Sequence, residues 1–383
     1  MPTSVLEPND AQQMAAMLAD AARQERTLIP RGSATKLALL SDTGGAASYL
    51  STRKLNAPVQ HFAGDLVATM PGGATLASAN AILAESGQWL PLDPSFASEA
   101  TIGGIVATND SGPRRHKHGS PRDLIIGVEI ALCDGRLAKA GGRVVKNVAG
   151  YDLSRLVCGS FGSLAVITSA TFKLTPLPHG SRTLVATCAD SQQAARLALA
   201  VAALPVTPSA VEIQAPSARL LVRFESTERA ADQMAATTRS VINEAGASTD
   251  VVAGNAEHDL WNTHDSLVWE PPGVVLKVCV LPTDVEGIIG RLASLDSRLQ
   301  WSAAGRAALG VLLVRLHTGT GDERALIATL RQHIRERRGT MSILRGSTTL
   351  RSLAGNEPDA ALKGVMGAIK SRFDPTGVLP ALP

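Results

Sequence analysis

The chain has 383 residues, long enough for two domains with separate cores. Hydrophobic residues make up 45% and charged residues 19%, the balance of a soluble globular protein, and a net charge of +3 is too weak a bias to argue for a nucleic-acid partner. No run of about 18 apolar residues is present to span a membrane, and a start containing Glu7, Asn9 and Asp10 lacks the basic-then-apolar order of a signal peptide, so a cytoplasmic protein is expected.

Asn9 or Asp10 can cap a helix running to Arg23, with Met14, Met17, Leu18 and Ala21 on one face. A strand over 27–29 feeds the loop Pro30-Arg31-Gly32-Ser33-Ala34-Thr35-Lys36, and strands follow near 46–51 and 66–70. A pyrophosphate needs several backbone N–H groups converging on it, and small residues that let the main chain come close. The loop offers both, with two hydroxyls; an ordinary surface turn is the alternative. A helix over 76–85 stops at Gly87.

In Thr101-Ile102-Gly103-Gly104-Ile105-Val106-Ala107-Thr108-Asn109, Thr101 can cap a short helix. Its first turn holds two glycines and is expected to leave N–H groups open to an anion. The approach Pro91-Leu92-Asp93-Pro94 fixes the entry, and Ser111-Gly112-Pro113-Arg114-Arg115 adds a turn and positive charge. A glycine-allowed contact between helices is the alternative here.

A buried strand over 124–132 leads through the Asp134-Gly135 turn into a second strand at 136–139. Lys146-Asn147-Val148-Ala149-Gly150-Tyr151-Asp152-Leu153 then precedes Gly159-Ser160-Phe161-Gly162-Ser163-Leu164-Ala165-Val166-Ile167-Thr168. Glycines ahead of a β-branched strand let a flat ring or an adenine lie against the chain, and Asp152 can cap a helix after Tyr151. A glycine-rich β-turn is the alternative. A strand over 163–174 ends at the prolines 176 and 178. No G-x-G-x-x-G follows a strand, and neither G-x-x-x-x-G-K-[ST] nor G-x-S-x-G occurs, so Rossmann, P-loop and nucleophile-elbow sites have no support.

Beyond the prolines the pattern changes. Strand 183–187, helix 191–203, strands 210–214 and 219–224, helix 227–245 and strand 248–252 give βαββαβ, the ferredoxin-like order. The order recurs as strand 274–280, helix 283–295, strands 300–303 and 310–316, helix 322–337 and strand 342–344. A helix over 358–373 closes the chain. Cys133, Cys158, Cys188 and Cys279 form no CxxC pair, which supports neither an iron–sulfur cluster nor a zinc ribbon, and no metal site is expected.

In order, P-R-G-x-x-T, T-I-G-G-x-x-A-T-N, G-Y-D-L and G-S-x-G-x-L-x-V-I-T resemble the FAD-binding domain of the PCMH-type (vanillyl-alcohol-oxidase) flavoproteins. Residues 111–115 and 141–152 resemble the FAD-binding E subunits of glycolate oxidases. The resemblance is specific over 28–178 and reappears at 369–377.

It implies an α+β architecture: a PCMH-type FAD-binding domain of two subdomains over 1–178, a cap with ferredoxin-like units over 179–355, and a C-terminal helix and tail, 356–383, returning to the FAD domain. It also implies FAD held non-covalently, since the first loop has no histidine; His116 and His118 are the exceptions to watch. Arg31, Gly32, Ser33, Ala34 and Thr35, after Pro30, would bind the pyrophosphate through main-chain amides. Thr101, Ile102, Gly103, Gly104, Ala107 and Thr108 would line the pyrophosphate and ribose. Gly162, Val166 and Ile167 would lie near the adenine or the pyrimidine edge of the flavin. Pro94, Ser111, Gly112, Arg115, Gly119, Lys146, Gly150, Tyr151 and Asp152 complete the implied cofactor set.

Two departures stand out. The H-x-G-D-G-N-x-H segment of catalytic relatives is reduced to His317-Thr318-Gly319-Thr320-Gly321-Asp322-Glu323-Arg324, which leaves His317 as a candidate base or a structural residue. Arg315 shares its strand face and could pair with a carboxylate, or simply form a surface ion pair. Leu379-Pro380-Ala381-Leu382-Pro383 replaces the usual N-P-G-R. The expected role is an FAD-binding subunit of a 2-hydroxyacid (glycolate) oxidase. Its partners would be a catalytic flavin subunit and an iron–sulfur subunit, with inner-membrane contact only through them. A self-sufficient FAD-dependent oxidoreductase, or a non-catalytic FAD-holding assembly subunit, are the alternatives.

Overall fold

Asp10 opens the first helix: its carboxylate accepts the Gln13 N–H at 2.8 Å, and α1 (Ala11–Arg23) buries Met14, Ala15, Leu18 and Ala21. Ala15 takes the central place expected for Met17, which stays at the edge of the face. The computed structural model describes residues 4–37, 48–144, 150–294, 300–317, 323–347, 350 and 360–381. The chain divides into two units, one of Met1–Gly112, His118–Leu177 and Glu357–Pro383, the other of Pro113–Lys117 and Pro178–Asn356.

In the first unit, β1 (Val5–Leu6), β2 (Leu28–Arg31) and β3 (Ser48–Ser51) form a parallel sheet with β3 in the middle. Its further strands are β4 (Gln60–Phe62), β5 (Val67–Pro71), β6 (Gln88–Trp89), β7 (Ile125–Ala131), β8 (Leu137–Gly141), β9 (Val166–Lys173) and β10 (Thr175–Pro176). Five make an antiparallel sheet in the order β4-β5-β9-β7-β8, and β6 pairs with β10. The turn between β7 and β8 contains Gly135 at φ +89°, the left-handed conformation that made Asp134-Gly135 a turn signal.

The short helices are α2 (Leu76–Ala84), α3 (Ile102–Thr108), α4 (Arg115–His118), α5 (Pro121–Leu124) and α6 (Leu153–Val157). Strand β9 starts at Val166, later than the expected 163, because Gly159, Phe161 and Gly162 adopt positive φ and keep that stretch in turns. The core packs Met70, Leu83, Ile102, Ile105, Val128 and Phe172 between sheet and helices.

The second unit contains β11 (Gly180–Thr187), α7 (Ser191–Ala202), β12 (Ala210–Ala215), β13 (Arg219–Ser226), α8 (Glu228–Glu244) and β14 (Ser248–Val252). After α9 (Gly254–Ser266) the order repeats in β15 (Val274–Cys279), α10 (Val285–Ala293), β16 (Gln300–Arg306), β17 (Val311–His317), α11 (Glu323–Glu336) and β18 (Thr340–Arg345). The two βαββαβ runs join edge to edge in one eight-stranded antiparallel sheet, β14-β11-β13-β12-β16-β17-β15-β18. The seam pairs Ile213 with Gly305 and Gln214 with Ala304.

Alternation along the strands separates two faces. Leu184, Ala186, Val211, Ile213, Leu276, Val314 and Leu316 pack with α7, α8, α10 and α11 in one core. Val185, Ala210 and Leu221 on the opposite face pack with Trp261 of α9.

Candidate functional site

Strand β2 delivers its last residue, Arg31, to a cleft in the first unit. Pairing with β3 ends there, Thr52 donating its N–H to the Arg31 carbonyl at 2.8 Å. From Gly32 onward the chain curls, with Ala34 left-handed at φ +67°. Among the described residues, the N–H groups of Gly32, Ser33, Ala34 and Thr35 meet no acceptor. Consecutive unbonded amides beside a left-handed residue are the makings of an anion-binding concavity.

The far end of the loop is pinned by Lys36. Its ammonium, 10% exposed, pairs with the Asp110 carboxylate, donates to the Ser95 carbonyl and lies 5.5 Å from the Phe96 ring centre. Gly32 is required by closeness: a Cβ there would stand 2.1 Å from Thr101 Oγ1.

Helix α3 forms the opposite wall. Thr101 caps it as expected, accepting the Gly104 N–H at 3.4 Å. The expectation that its first turn leaves N–H groups open to an anion is not met. Ile102 donates to the Ala74 carbonyl at 2.9 Å and Gly103 to the Gly72 carbonyl at 2.8 Å. Those bonds dock α3 onto the end of the sheet. Both glycines are needed for it, since a Cβ on Gly103 would lie 3.0 Å from Gly72 O and one on Gly72 would lie 2.3 Å from Ile167 O.

The other end of α3 holds the third wall. Gly159 and Phe161 donate to the Val106 and Ala107 carbonyls at 3.0 and 2.7 Å, and Gly162, at φ +72°, turns the chain beside Pro30. The cleft thus gathers Pro30, Arg31, Gly32, Ser33, Ala34, Thr35, Thr101, Gly103, Gly104, Ala107, Thr108, Gly162, Val166 and Ile167. It adds Lys36, Leu37, Thr52, Phe161 and Ala165, which sequence reasoning did not assign. Lys36 and Phe161 adjoin assigned positions and were within reach of it. Thr52 arrives through long-range strand pairing, which no local pattern announces.

The remaining candidates are not among the cleft-lining residues. Ile102 is buried in the core. Pro94 and Ser111 are buried, and Gly112 lies so near Asp93 that a Cβ would be 1.8 Å from its carbonyl oxygen. Gly119 turns at φ +81° against Asp123. Gly150 and Asp152 are exposed, Tyr151 is 91% exposed, and Asp152 caps α6 by accepting the Arg155 N–H at 3.0 Å. Lys146 lies outside the described residues. Arg115 falls in the second unit.

In that second unit Arg315 and His317 do meet: Arg315 Nε donates to His317 Nε2 at 2.6 Å, and its Nη1 donates to the Glu270 carbonyl at 2.7 Å. Burial, with the charges of Arg315 and Arg345, holds the His317 pKa below its ordinary value, so the ring is a neutral acceptor. Residues 318–322 of the same segment lie outside the described residues.

The same sheet face carries a buried polar network that sequence reasoning missed. His264 Nε2 and Arg306 Nε each lie 3.2 Å from an oxygen of Glu212, and Gln214 meets His264 Nδ1 at 3.1 Å. Arg114 grips Glu225 through three contacts of 2.8–3.2 Å, while Lys117 donates to the Glu225 carbonyl. Burial pushes the Glu225 pKa up, but Arg114 and Arg223 pull harder and hold it at about 2. Among the described residues no group of three or more His, Cys, Asp or Glu is placed to hold a metal ion, and no helix is long and apolar enough to cross a membrane.

Comparison with known proteins agrees with this geometry. Residues 2–141 match the FAD binding domain family. Glycolate oxidase subunit GlcE of Escherichia coli (strain K12) is 46% identical over 121 residues, which is 31% of this chain and 35% of that one. Glycolate oxidase subunit GlcD of Bacillus subtilis (strain 168) is 33% identical over 213 residues, 55% of this chain and 45% of that one. The chain therefore spans less than half the length of either relative. The solved structure of alkyldihydroxyacetonephosphate synthase covers 98% of this chain and 76% of its own with a TM-score of 0.73 at 14% identity, a likeness of fold.

Proposed function

We propose, from the match of residues 2–141 to the FAD binding domain family, that the chain is the FAD-holding subunit of a complex that oxidises a small 2-hydroxyacid of the glycolate kind. The observation that carries the reading is the loop 32–35, whose amides meet no acceptor among the described residues and whose residues line a glycine-walled cleft. That cradle fits a pyrophosphate, because N–H donors supply the binding and absent side chains supply the closeness. FAD is the cofactor of this domain, and when bound it supplies acceptance of a hydride and release of the electrons to an iron–sulfur partner.

The chain's own part is to hold and orient. Gly32, Ser33, Ala34 and Thr35 would bind the pyrophosphate, non-covalently, since no histidine stands in the loop. Gly103, Gly104 and Thr108 would line the ribose side, and Gly162, Val166 and Ile167 would floor the ring. Lys36 positions the loop through Asp110. For substrate we assign Arg315, whose Nη2 has no partner among the described residues, to a carboxylate. His317, its Nε2 lone pair occupied by Arg315, carries its ring proton on Nδ1 and would orient the substrate by donating from there to a substrate oxygen. The reading of the substrate as a 2-hydroxyacid rests on similarity to two glycolate oxidase subunits.

The test is purification of the chain alone and with co-expressed partner subunits, followed by anaerobic addition of glycolate. The expected result is stoichiometric FAD in both preparations and bleaching of the visible flavin band in the complex. A chain that stays colourless with excess FAD refutes the cofactor reading. A yellow complex that neither glycolate nor D-lactate bleaches refutes the hydroxyacid reading.

A further inference from the structure

A second cleft, of about 580 Å³, lies in the first unit between the last turn of α1, the β7–β8 turn and the end of the C-terminal helix Ala360–Phe373. Leu132, Phe373 and Pro375 contribute apolar walls, and Arg23, Arg136 and Arg372 line it.

Its walls are fixed before anything binds. Gly135 presses the β7–β8 turn against α1, where a Cβ would come 3.0 Å from that of Ala19. Asp374, buried, pairs with Lys370 and accepts the Val378 and Leu379 N–H groups, both at 2.9 Å. Lys370 Nζ also donates to the carbonyls of Ser163, Leu379 and Pro380 at 2.8–3.1 Å. This clamp holds Phe373 and Pro375 in place, so little ordering entropy remains to be lost on binding.

The arginines are available. Arg23 pairs with Asp20 and Arg136 with Asp134, both pairs largely exposed. Pairs of that kind, open to solvent, exchange readily for another carboxylate. Arg372 has no acidic partner among the described residues. Cys133, in the same wall, is buried, and burial with the nearby Asp374 carboxylate keeps its thiol protonated, so the cleft is a docking surface and not a covalent one.

We infer that this second cleft docks a segment of a partner polypeptide that carries carboxylates beside apolar anchors. The apolar walls take the anchors and the three guanidinium groups take the carboxylates, a pairing that Arg serves well because its donors are forked. The inference stands apart from the hydroxyacid reading, because docking is read without turnover.

The probe is a fluorescein-labelled synthetic peptide alternating Glu and Leu, titrated into the FAD-loaded full chain and followed by anisotropy. Controls are a Glu and Ser peptide of equal charge, and vesicles rich in anionic phospholipid. Arg372→Glu, and separately the milder Arg372→Gln with Arg136→Gln, are compared with the parent at equal FAD content and equal thermal midpoint. Saturable binding of the Glu and Leu peptide, weakened about tenfold or more by either variant, is expected. Three results overturn the inference: no binding of that peptide, equal affinity for the leucine-free one, or vesicle binding without peptide binding. Loss of FAD from the parent chain would instead strike at the cofactor reading and leave the docking result legible.

Discussion

A single methyl group at residue 32 tests the cleft most directly. In Gly32→Ala the new Cβ would stand 2.1 Å from Thr101 Oγ1, 2.8 Å from its Cγ2 and 2.9 Å from its Cβ. Thr101 has little room to yield: it is 3% exposed, its hydroxyl caps α3, and its backbone bridges to Thr75. Either the loop lifts away or the cap is lost. Overpacking of this kind costs about 1–3 kcal/mol and the loss of a cap about 1 kcal/mol. If the loop takes the displacement, FAD affinity falls about 10- to 100-fold, at about 1.4 kcal/mol for each factor of ten. Thr101→Ala removes the two nearest atoms and costs about 1 kcal/mol alone. The double variant still holds two Cβ atoms 2.9 Å apart, so it should recover only part of the Gly32→Ala loss, a coupling of about 1 kcal/mol. Titrating the deflavinated proteins with FAD by fluorescence quenching, and measuring thermal midpoints at saturating FAD, gives all four corners of the cycle. Additive effects, or an unchanged FAD affinity in Gly32→Ala, would refute the reasoning.

The remaining expectations concern the loop anchor, a buried carboxylate and the second unit. Lys36→Met should weaken FAD binding about tenfold by freeing the loop's end, and adding Asp110→Asn should cost little more; strictly additive losses would show that the two act separately. Glu225, held at about 2 against an ordinary 4.5, contributes up to about 3 kcal/mol at neutral pH. Because its pKa is depressed on folding, that stability is present above 4.5 and lost as pH falls toward 2. In urea unfolding the gap between the parent and Glu225→Gln should therefore be widest near neutrality and close in acid, and a gap that ignores pH would sink the assignment. Arg315→Lys should lower glycolate-driven flavin bleaching in the complex about tenfold or more with FAD content unchanged, whereas full activity in that variant removes Arg315 from the substrate's surroundings.

Local chemistry was legible in the sequence where one residue decides one bond. Asp10, Thr101 and Asp152 each cap the helix that follows them, as their side chains and spacing implied. The two βαββαβ runs were legible because strand and helix periods differ along the chain. The edge pairing of β12 with β16 was not, since strand registry across about ninety residues leaves no local pattern. Helix α9 escaped notice for a different reason: its buried positions include Glu257 and His264 beside Trp261, so its inward face does not look apolar. Nor could the place of Pro113–Lys117 in the second unit be read from its turn-forming start, because Arg114 is held by Glu225, 111 residues away.

The loop at Gly32 and the helix start at Gly103 were both expected to offer amides to an anion, yet they use those amides differently. At Gly103 the missing side chain lets a helix approach Gly72 closely enough for carbonyls to consume the first N–H groups, so the glycine serves the scaffold. At Gly32 the closeness is to the Thr101 side chain, whose hydroxyl is engaged with Gly104, and the loop amides stay unspent. A buried or half-buried amide without an acceptor is costly; here the loop turns left-handed at Ala34 and its far end is tied to Asp110 by Lys36. On the proposed reading, the donors left for an anion are decided by which carbonyl lies within reach of each amide, and the helix terminus is the frame beside the loop.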